Sequence, residues 1–415
     1  MTVPHRRIHH GWVVLIAATL VVMASLGLAR FGYSLVLPAM QHSLLLDNTQ
    51  AGGLATANLI GYLMLAVLGG ALASRLGPRV VIAAGLGVAG LGMVFTGAVN
   101  SFLGAAIWRV VAGIGSGASN VPVMGLMAAW FAPRRRGLAS GVAVAGSAIA
   151  LIALGPTVPA VLQAWGEDGW RVYWWGTGAI TLVIALLTAM VLRNCPVELG
   201  LTPVGCIEDP ATPEPTAGST RLDWGAVYRS PAVWHLGFVY VAFGLSYIIY
   251  LTFFVSLLVS EAMYTEAAAG RLFMLVGWLS LFCGVLWGHV SDVIGRRGAM
   301  VIVYLIHAVA FGLFGLTTDP VGLTISAVLF GLSAWSIPAI MAAACGDVVG
   351  ARLAPAAIGF VTFFFGIGQA ISPTVAGMIA DATGSLQPAM LLAAGISLAG
   401  AIGAGTLQTR SDHRQ

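Results

Sequence analysis

Apolar positions along the chain fall into long, nearly unbroken runs separated by short breaks of glycine, proline and charge. Read against those breaks, twelve segments emerge, at 12–40, 49–74, 79–99, 101–131, 136–164, 170–193, 231–260, 266–292, 298–318, 320–348, 353–380 and 385–408. Their lengths of about 20 to 30 residues suit helices that cross a hydrocarbon core of roughly 30 Å, whereas barrel strands need only ~10 residues each. The pattern predicts an all-α membrane protein with twelve transmembrane helices. One long polar stretch interrupts it, Asn194 to Ser230, with Pro196, Pro203, Pro210, Pro213 and Pro215 among scattered acids. That composition reads as a linker. It divides the chain into an N-terminal bundle, 1–193, and a C-terminal bundle with a short tail, 231–415.

The two parts look like copies of one another. Gly70 to Arg79 matches Gly288 to Arg297 at an offset of 218, Gly155-Pro156-Thr157-Val158 matches Ser372-Pro373-Thr374-Val375 at 217, and Ser119-Asn120-Val121-Pro122 matches Trp335-Ser336-Ile337-Pro338 at 216. Such parallel repeats place a substrate site at the interface of the two six-helix units, near the bilayer midplane.

Composition sharpens this picture and charge orients it. Hydrophobic residues make up 59% of the chain and charged ones 8%, and the mean hydropathy of +0.93 lies beyond ordinary soluble domains. All 19 basic residues are arginine. They do not form a nucleic-acid surface: Arg6, Arg7, Arg75, Arg79, Arg134, Arg135, Arg136, Arg193, Arg221, Arg229, Arg296, Arg297, Arg352, Arg410 and Arg414 sit at the chain ends or in every second loop. By the positive-inside rule both termini are expected in the cytoplasm, which makes this a multi-pass protein of the cytoplasmic membrane. Cys195, Cys206, Cys283 and Cys345 show neither CxxC spacing nor histidine companions, so no metal site or disulfide is expected. The first apolar run is too long for a signal-peptide core and counts as the first span.

Candidate chemistry lies where polar groups enter the spans. Arg30 and Arg109 fall well inside the first and fourth segments, while every carboxylate lies in a loop, a tail or a helix end. A buried charge in a bilayer protein normally faces a cavity and finds a partner, so the missing negative charge points to an anionic substrate. The planar guanidinium fork suits a carboxylate and stays charged. For Arg30 the alternatives are snorkelling or capture by helix carbonyls; for Arg109 a structural role, bonded to backbone carbonyls, stands against substrate contact. Helical spacing adds Tyr33 beside Arg30, Asn120 beside Arg109, and Asn58 with Tyr62 on the second segment. In the seventh, Tyr240, Phe243, Tyr247 and Phe254 form an aromatic stripe; Trp335 in the tenth and Gln369 in the eleventh complete the candidates. Of the histidines, His307 lies in mid-span. With no acid inside the spans, exchange, facilitated diffusion, or symport with a proton in which the substrate's own carboxylate takes part are the expected modes.

Several motifs carry a family resemblance that covers nearly the whole chain. Gly288-x-x-x-Asp292-x-x-Gly295-Arg296-Arg297, its first copy at Gly70, Arg75 and Arg79, and Arg109-x-x-x-Gly113-x-Gly115-x-Gly117 resemble signatures of the major facilitator superfamily. His10-Gly11-Trp12-Val13-Val14, Trp130-Phe131-Ala132-Pro133-Arg134-Arg135-Arg136-Gly137 and Cys195-Pro196-Val197-Glu198-Leu199-Gly200-Leu201 resemble its monocarboxylate-transporter-like and oxalate/formate-antiporter-like bacterial branches. The resemblance implies the major facilitator fold, a seventh helix bordering the central cavity, a peripheral ninth helix whose His307 faces a neighbour or the lipid rather than the path, loops with Gly70, Arg75, Arg79, Gly288, Asp292 and Arg296 that bias inward and outward states, and a monomer. The first loop copy departs from the pattern, with Ser74 where the family usually has Asp. So does Gly284, near where carboxylate-carrying relatives often hold an arginine. The expectation is a secondary active or facilitative transporter of a small organic anion, a monocarboxylate or dicarboxylate, without cofactor. An exporter of amphipathic or aromatic compounds is the alternative. An enzyme is disfavoured: phosphate-cradling loops, HExxH and GxSxG are missing, and the glycines at 113, 115 and 117 lie in an apolar helix rather than after a strand.

Overall fold

The computed structural model describes residues 9–206, 224–350 and 353–407. Arg6, Arg7, Arg221, Arg352, Arg410, Arg414, linker positions 207–223 and the tail from 408 lie outside the described residues. The first span comprises α1 (His10–Val22), a π-helical segment (Met23–Phe31) and α2 (Tyr33–Leu44). There follow α3 (Asn48–Leu76), α4 (Pro78–Thr96), α5 (Phe102–Trp130), α6 (Pro133–Trp165), α7 (Gly169–Val191) and the short α8 (Trp224–Tyr228). Then come α9 (Pro231–Ser260), α10 (Glu266–Ser280), α11 (Cys283–Ile294), α12 (Arg296–Leu316), α13 (Pro320–Ser333), α14 (Ser336–Val349), α15 (Ala354–Thr383) and α16 (Gln387–Gly405).

Nine stretches among the described residues are long and apolar enough to cross a membrane, and eleven when two bent pairs count as spans, one of them α10 with α11 at 44°. One of the nine, Pro133–Val191, has 59 residues and turns at Gly166–Asp168 between α6 and α7. At 1.5 Å per residue it would measure about 88 Å, nearly three bilayer cores. Counted as its two helices, it brings the total to twelve, as the apolar pattern predicts. Helix starts follow from local chemistry: Asp47 and Gln50 form a capping box on α3, Ser101 and Thr265 cap α5 and α10, and Asp319 accepts from two backbone N–H groups of α13. The matched loops fold alike. Gly77 and Gly295, 218 positions apart in sequence, both hold positive φ, at 84° and 83°, a conformation that a side chain disfavours.

Helices from before and after the 194–230 stretch approach most closely along two crossings, while α2 also packs on α9. On one, α3 passes α15 so closely that a Cβ on Gly52 would lie 2.0 Å from the Pro373 carbonyl oxygen, and one on Gly377 2.0 Å from that of Asn48. On the other, a Cβ on Gly270 of α10 would lie 2.2 Å from the Gly155 carbonyl oxygen on α6. Gly270 stands 218 positions after Gly52, so the second crossing repeats the first. At the same end the Asp381 carboxylate accepts from the backbone N–H of Asn48 at 2.9 Å and of Thr49 at 2.7 Å, and from the Thr49 hydroxyl at 2.6 Å. Farther along the same spans, on α3 and α15 at Gly70 and Gly359, and on α6 and α11 at Gly137, Gly141, Gly284 and Gly288, a Cβ would meet nothing within 4 Å among the described residues. The assembly is shut at the Asp381 end and splayed at the end bearing the matched loops.

Part of the linker is structured. Val204 pairs with the chain at Trp130 and Ala132, donating at 2.9 Å and accepting at 3.1 Å, and is buried beside Trp130, Phe131 and Leu192. Residues 195–205 thereby fold back on the ends of α5 and α7.

Candidate functional site

The π segment decides where the first span points its polar groups. Gly32 N–H donates to the Gly27 carbonyl five residues back, at 2.9 Å, a wider ring than the α-helical one and a type that clusters at functional sites. Where it passes into α2, two carbonyl oxygens take side-chain donors. Tyr173 of α7 donates its hydroxyl to Leu28 O at 2.8 Å, and Arg109 of α5 donates Nη1 to Ala29 O at 2.6 Å. Arg109 Nε also reaches Leu54 O at 3.5 Å, and its guanidinium lies over the rings of Tyr33 and Trp174, at 4.7 and 5.0 Å. A cation only 1% exposed is thus surrounded by carbonyl dipoles and aromatic faces. Tyr33 donates to Ala51 O at 2.7 Å and Asn58 to Arg109 O at 3.1 Å. These three expected site residues form a bracing cluster on the first span.

Arg30 is held otherwise. It projects toward α9, where Nη2 donates to the Tyr247 hydroxyl at 2.7 Å, and Tyr247 donates onward to Gln369 Oε1 of α15 at 2.5 Å. Its guanidinium lies 5.4 Å from the Phe31 ring and 5.7 Å from the Tyr62 ring. Asn120 in turn donates to the Tyr62 hydroxyl at 3.0 Å. Trp335 packs against both Phe31 and Tyr247, at 5.2 and 6.1 Å. The wall continues through Phe243, Phe365 and Tyr240, whose rings stack within 13° of parallel. Arg30, Tyr62, Asn120, Tyr247, Trp335 and Gln369 therefore converge, from elements on both sides of the linker, with Tyr240 at the far end of the wall.

The hydrogen-bond count around this cluster is unbalanced. Arg30 Nε and Trp335 Nε1 are buried without a partner among the described residues. Both groups are donors only, and each such unmet buried group costs about 1–3 kcal/mol. A small cavity beside Arg30, about 20 Å³ and so of one-water size, touches Arg109, Ser34 and Asn58. Among the described residues no carboxylate lines this cavity, so the arrangement can hold negative charge.

Over residues 22–404 the chain matches the family model described as "Uncharacterised MFS-type transporter YbfB". It belongs to the major facilitator superfamily. It is 26% identical to the hexuronate transporter of Bacillus subtilis over 89% of this chain and 88% of that one, and 30% identical to the oxalate:formate antiporter of Oxalobacter formigenes over 59% and 55%. The fold resembles that of a bacterial homologue of the human lysosomal transporter Spinster in an inward-facing, unoccupied conformation, with a TM-score of 0.72, 17% identity and 95% of each chain covered. This facilitator is a multi-pass membrane transporter, not an enzyme, and its relatives support the monocarboxylate-transporter-like and oxalate/formate-antiporter-like branch that its motifs resemble.

The loop signature of the transporter is asymmetric, as Ser74 foretells. In the second copy Arg296 donates to Asp292 at 2.5 Å, to Asp347 at 3.2 Å and to the Ser291 hydroxyl at 2.6 Å, tying together α11, α12 and α14. In the first copy Arg79 instead reaches the Ala189 carbonyl of α7 at 2.7 Å, and Asn194 caps its backbone N–H at 3.0 Å; Arg75 is exposed. Gly70 and Gly288 sit at the splayed end. Of the six positions, Arg79, Asp292 and Arg296 brace each part of the chain within itself at that end. The residue that sequence reading passed over is Tyr173, whose only sequence cue is an aromatic cluster with Trp170 and Trp174. His307, read as peripheral, is fully buried among Phe243, Phe311 and Phe330.

Proposed function

We propose that this transporter carries a small organic anion, a monocarboxylate or dicarboxylate, across the cytoplasmic membrane by alternating access. Two six-helix units, 1–193 and 231–415, rock about a midplane site, joined by the cytoplasmic linker 194–230, with both termini in the cytoplasm and one chain sufficient. On that orientation the splayed end opens to the cytoplasm. The observation that carries the anion reading is the pair of unmet donors at Arg30: among the described residues, a buried Nε without partner, the equally unmet Trp335 indole beside it, and no carboxylate lining the cavity. That a hexuronate transporter and an oxalate:formate antiporter are similar over much of the chain supports the same class. Arg30 supplies the charge, Trp335, Tyr62 and Asn120 shape and hydrogen bonds, and Arg109 holds the helix that presents Arg30.

A thermal-shift screen of the purified protein against small carboxylates, aromatic acids and cationic amphiphiles tests this, because a ligand of the folded state raises the melting temperature. The expected result is stabilisation by at least one carboxylate, lost in Arg30→Gln while the unliganded melting temperature stays within a few degrees. Stabilisation by cations or neutral amphiphiles alone would refute the proposal and favour an exporter using the Tyr240–Phe365 wall.

A further inference from the structure

Arg30 is not left bare in the absence of substrate. Among the described residues its one side-chain hydrogen bond runs to Tyr247, across the division between the two parts of the chain, and Tyr247 is fixed by Gln369. The phenol hydroxyl is both donor and acceptor: it accepts from the guanidinium and donates to the amide oxygen. This orientation presents a lone pair, the neutral counterpart of a carboxylate oxygen, to Nη2. The Tyr247 side chain is 2% exposed and stacked on Phe243 at 4.6 Å and 8°, so the hydroxyl is held in place rather than recruited.

We propose that the Tyr247 hydroxyl is an internal stand-in for the substrate carboxylate, which lets the empty transporter change conformation and so permits net transport instead of obligatory exchange. The inference rests on the reading of Arg30 as the anion-binding group. An arriving carboxylate, being charged, outcompetes the phenol for Nη2 and also meets Nε, which Tyr247 leaves unbonded. When the anion departs, Tyr247 takes Nη2 again and spans the division, so the guanidinium need not cross an occluded state without an acceptor. Remove that hydroxyl and only the loaded protein has its cation compensated; the empty return slows, while exchange of anion for anion, which never requires the empty protein to change conformation, continues. Gln369 belongs to the same device as a positioning residue, because it fixes which way the phenol proton points.

The test is Tyr247→Phe, which keeps the ring and its stacking, reconstituted in liposomes with the carboxylate identified by the thermal screen. Net uptake into anion-free vesicles is compared with counterflow into vesicles preloaded with the same anion. Net uptake is expected to fall about ten- to a hundred-fold, the factor that one hydrogen bond to a charged group is worth, with counterflow within about three-fold of wild type. Gln369→Leu serves as second variant: it removes the acceptor that fixes the phenol proton and should behave like Tyr247→Phe, though more mildly. Equal loss of net uptake and counterflow in Tyr247→Phe would overturn the proposal and make Tyr247 an ordinary substrate contact; no change in either would remove it from the transport cycle. Both outcomes leave the anion reading intact, since that fails separately if Arg30→Gln binds and exchanges the anion as wild type does.

Discussion

Gly52→Ala is expected to open the transporter at its shut end without unfolding it. The new methyl would sit 2.0 Å from Pro373 O, 2.5 Å from Pro373 C and 3.0 Å from Thr374 Cα. All three are backbone atoms of α15, so no rotamer change relieves the overlap, and contact at roughly 3.5 Å requires the helices to separate by about 1 Å or more. Overpacking of this sort costs about 1–3 kcal/mol. Since the cost exists only while α3 and α15 are in contact, it multiplies the population of forms separated at this end by about 5- to 150-fold. Spin labels at Leu45 and Thr383, on a background without the four native cysteines, report that separation as a distance distribution. A longer component should grow in Gly52→Ala. The control is Gly113→Ala, whose methyl would lie 2.0 Å from Asn58 O on α3, between helices on the same side of the linker. It should lower the melting temperature and leave the distances alone. If Gly52→Ala instead behaves like Gly113→Ala, the α3–α15 crossing is a fixed part of the fold and the rocking argument falls.

Two further substitutions probe other contacts. Asp381→Asn weakens three hydrogen bonds from the start of α3 and should shift the same distance distribution in the same direction, but by under about 1 kcal/mol because the carboxylate is exposed and screened by salt; raising ionic strength should shrink the difference from wild type. Tyr173→Phe removes the donor to Leu28 O, a buried carbonyl, and should cost about 1–3 kcal/mol in a detergent melt; an unchanged melting curve would mean that water replaces the phenol.

The spans were legible because burial in a bilayer forces long apolar runs, and the matched offsets of 216 to 218 announced the repeat. The bonding of the two arginines was less so. Both look alike in sequence, single cations in apolar helices, yet one is enclosed by Ala29 O, Leu54 O and two rings while the other meets a tyrosine across the division. The difference comes from the π segment, which follows from packing against α5, α6 and α7 and leaves no clear mark on local propensity. For the same reason Tyr33 and Asn58, correctly placed on the helical faces near the arginines, spend their donors on backbone carbonyls. The folded-back residues 195–205 were hidden by their proline content, which reads as open chain whether or not a strand-like pairing with Trp130 and Ala132 awaits it.

A π turn is, in effect, an inserted residue that the helix has absorbed. Removing one residue between Met23 and Ala29 would let the segment relax to α-helical geometry, and because the wider winding already absorbs that residue, α2 would keep nearly its register on α1. The change would fall inside the segment, shifting the carbonyls of Leu28 and Ala29 against Tyr173 and Arg109 and the Arg30 side chain against Tyr247. The fit of the first span is therefore open to change by deletion as much as by substitution: relatives that shorten it by one residue should carry matching replacements at 109 and 173.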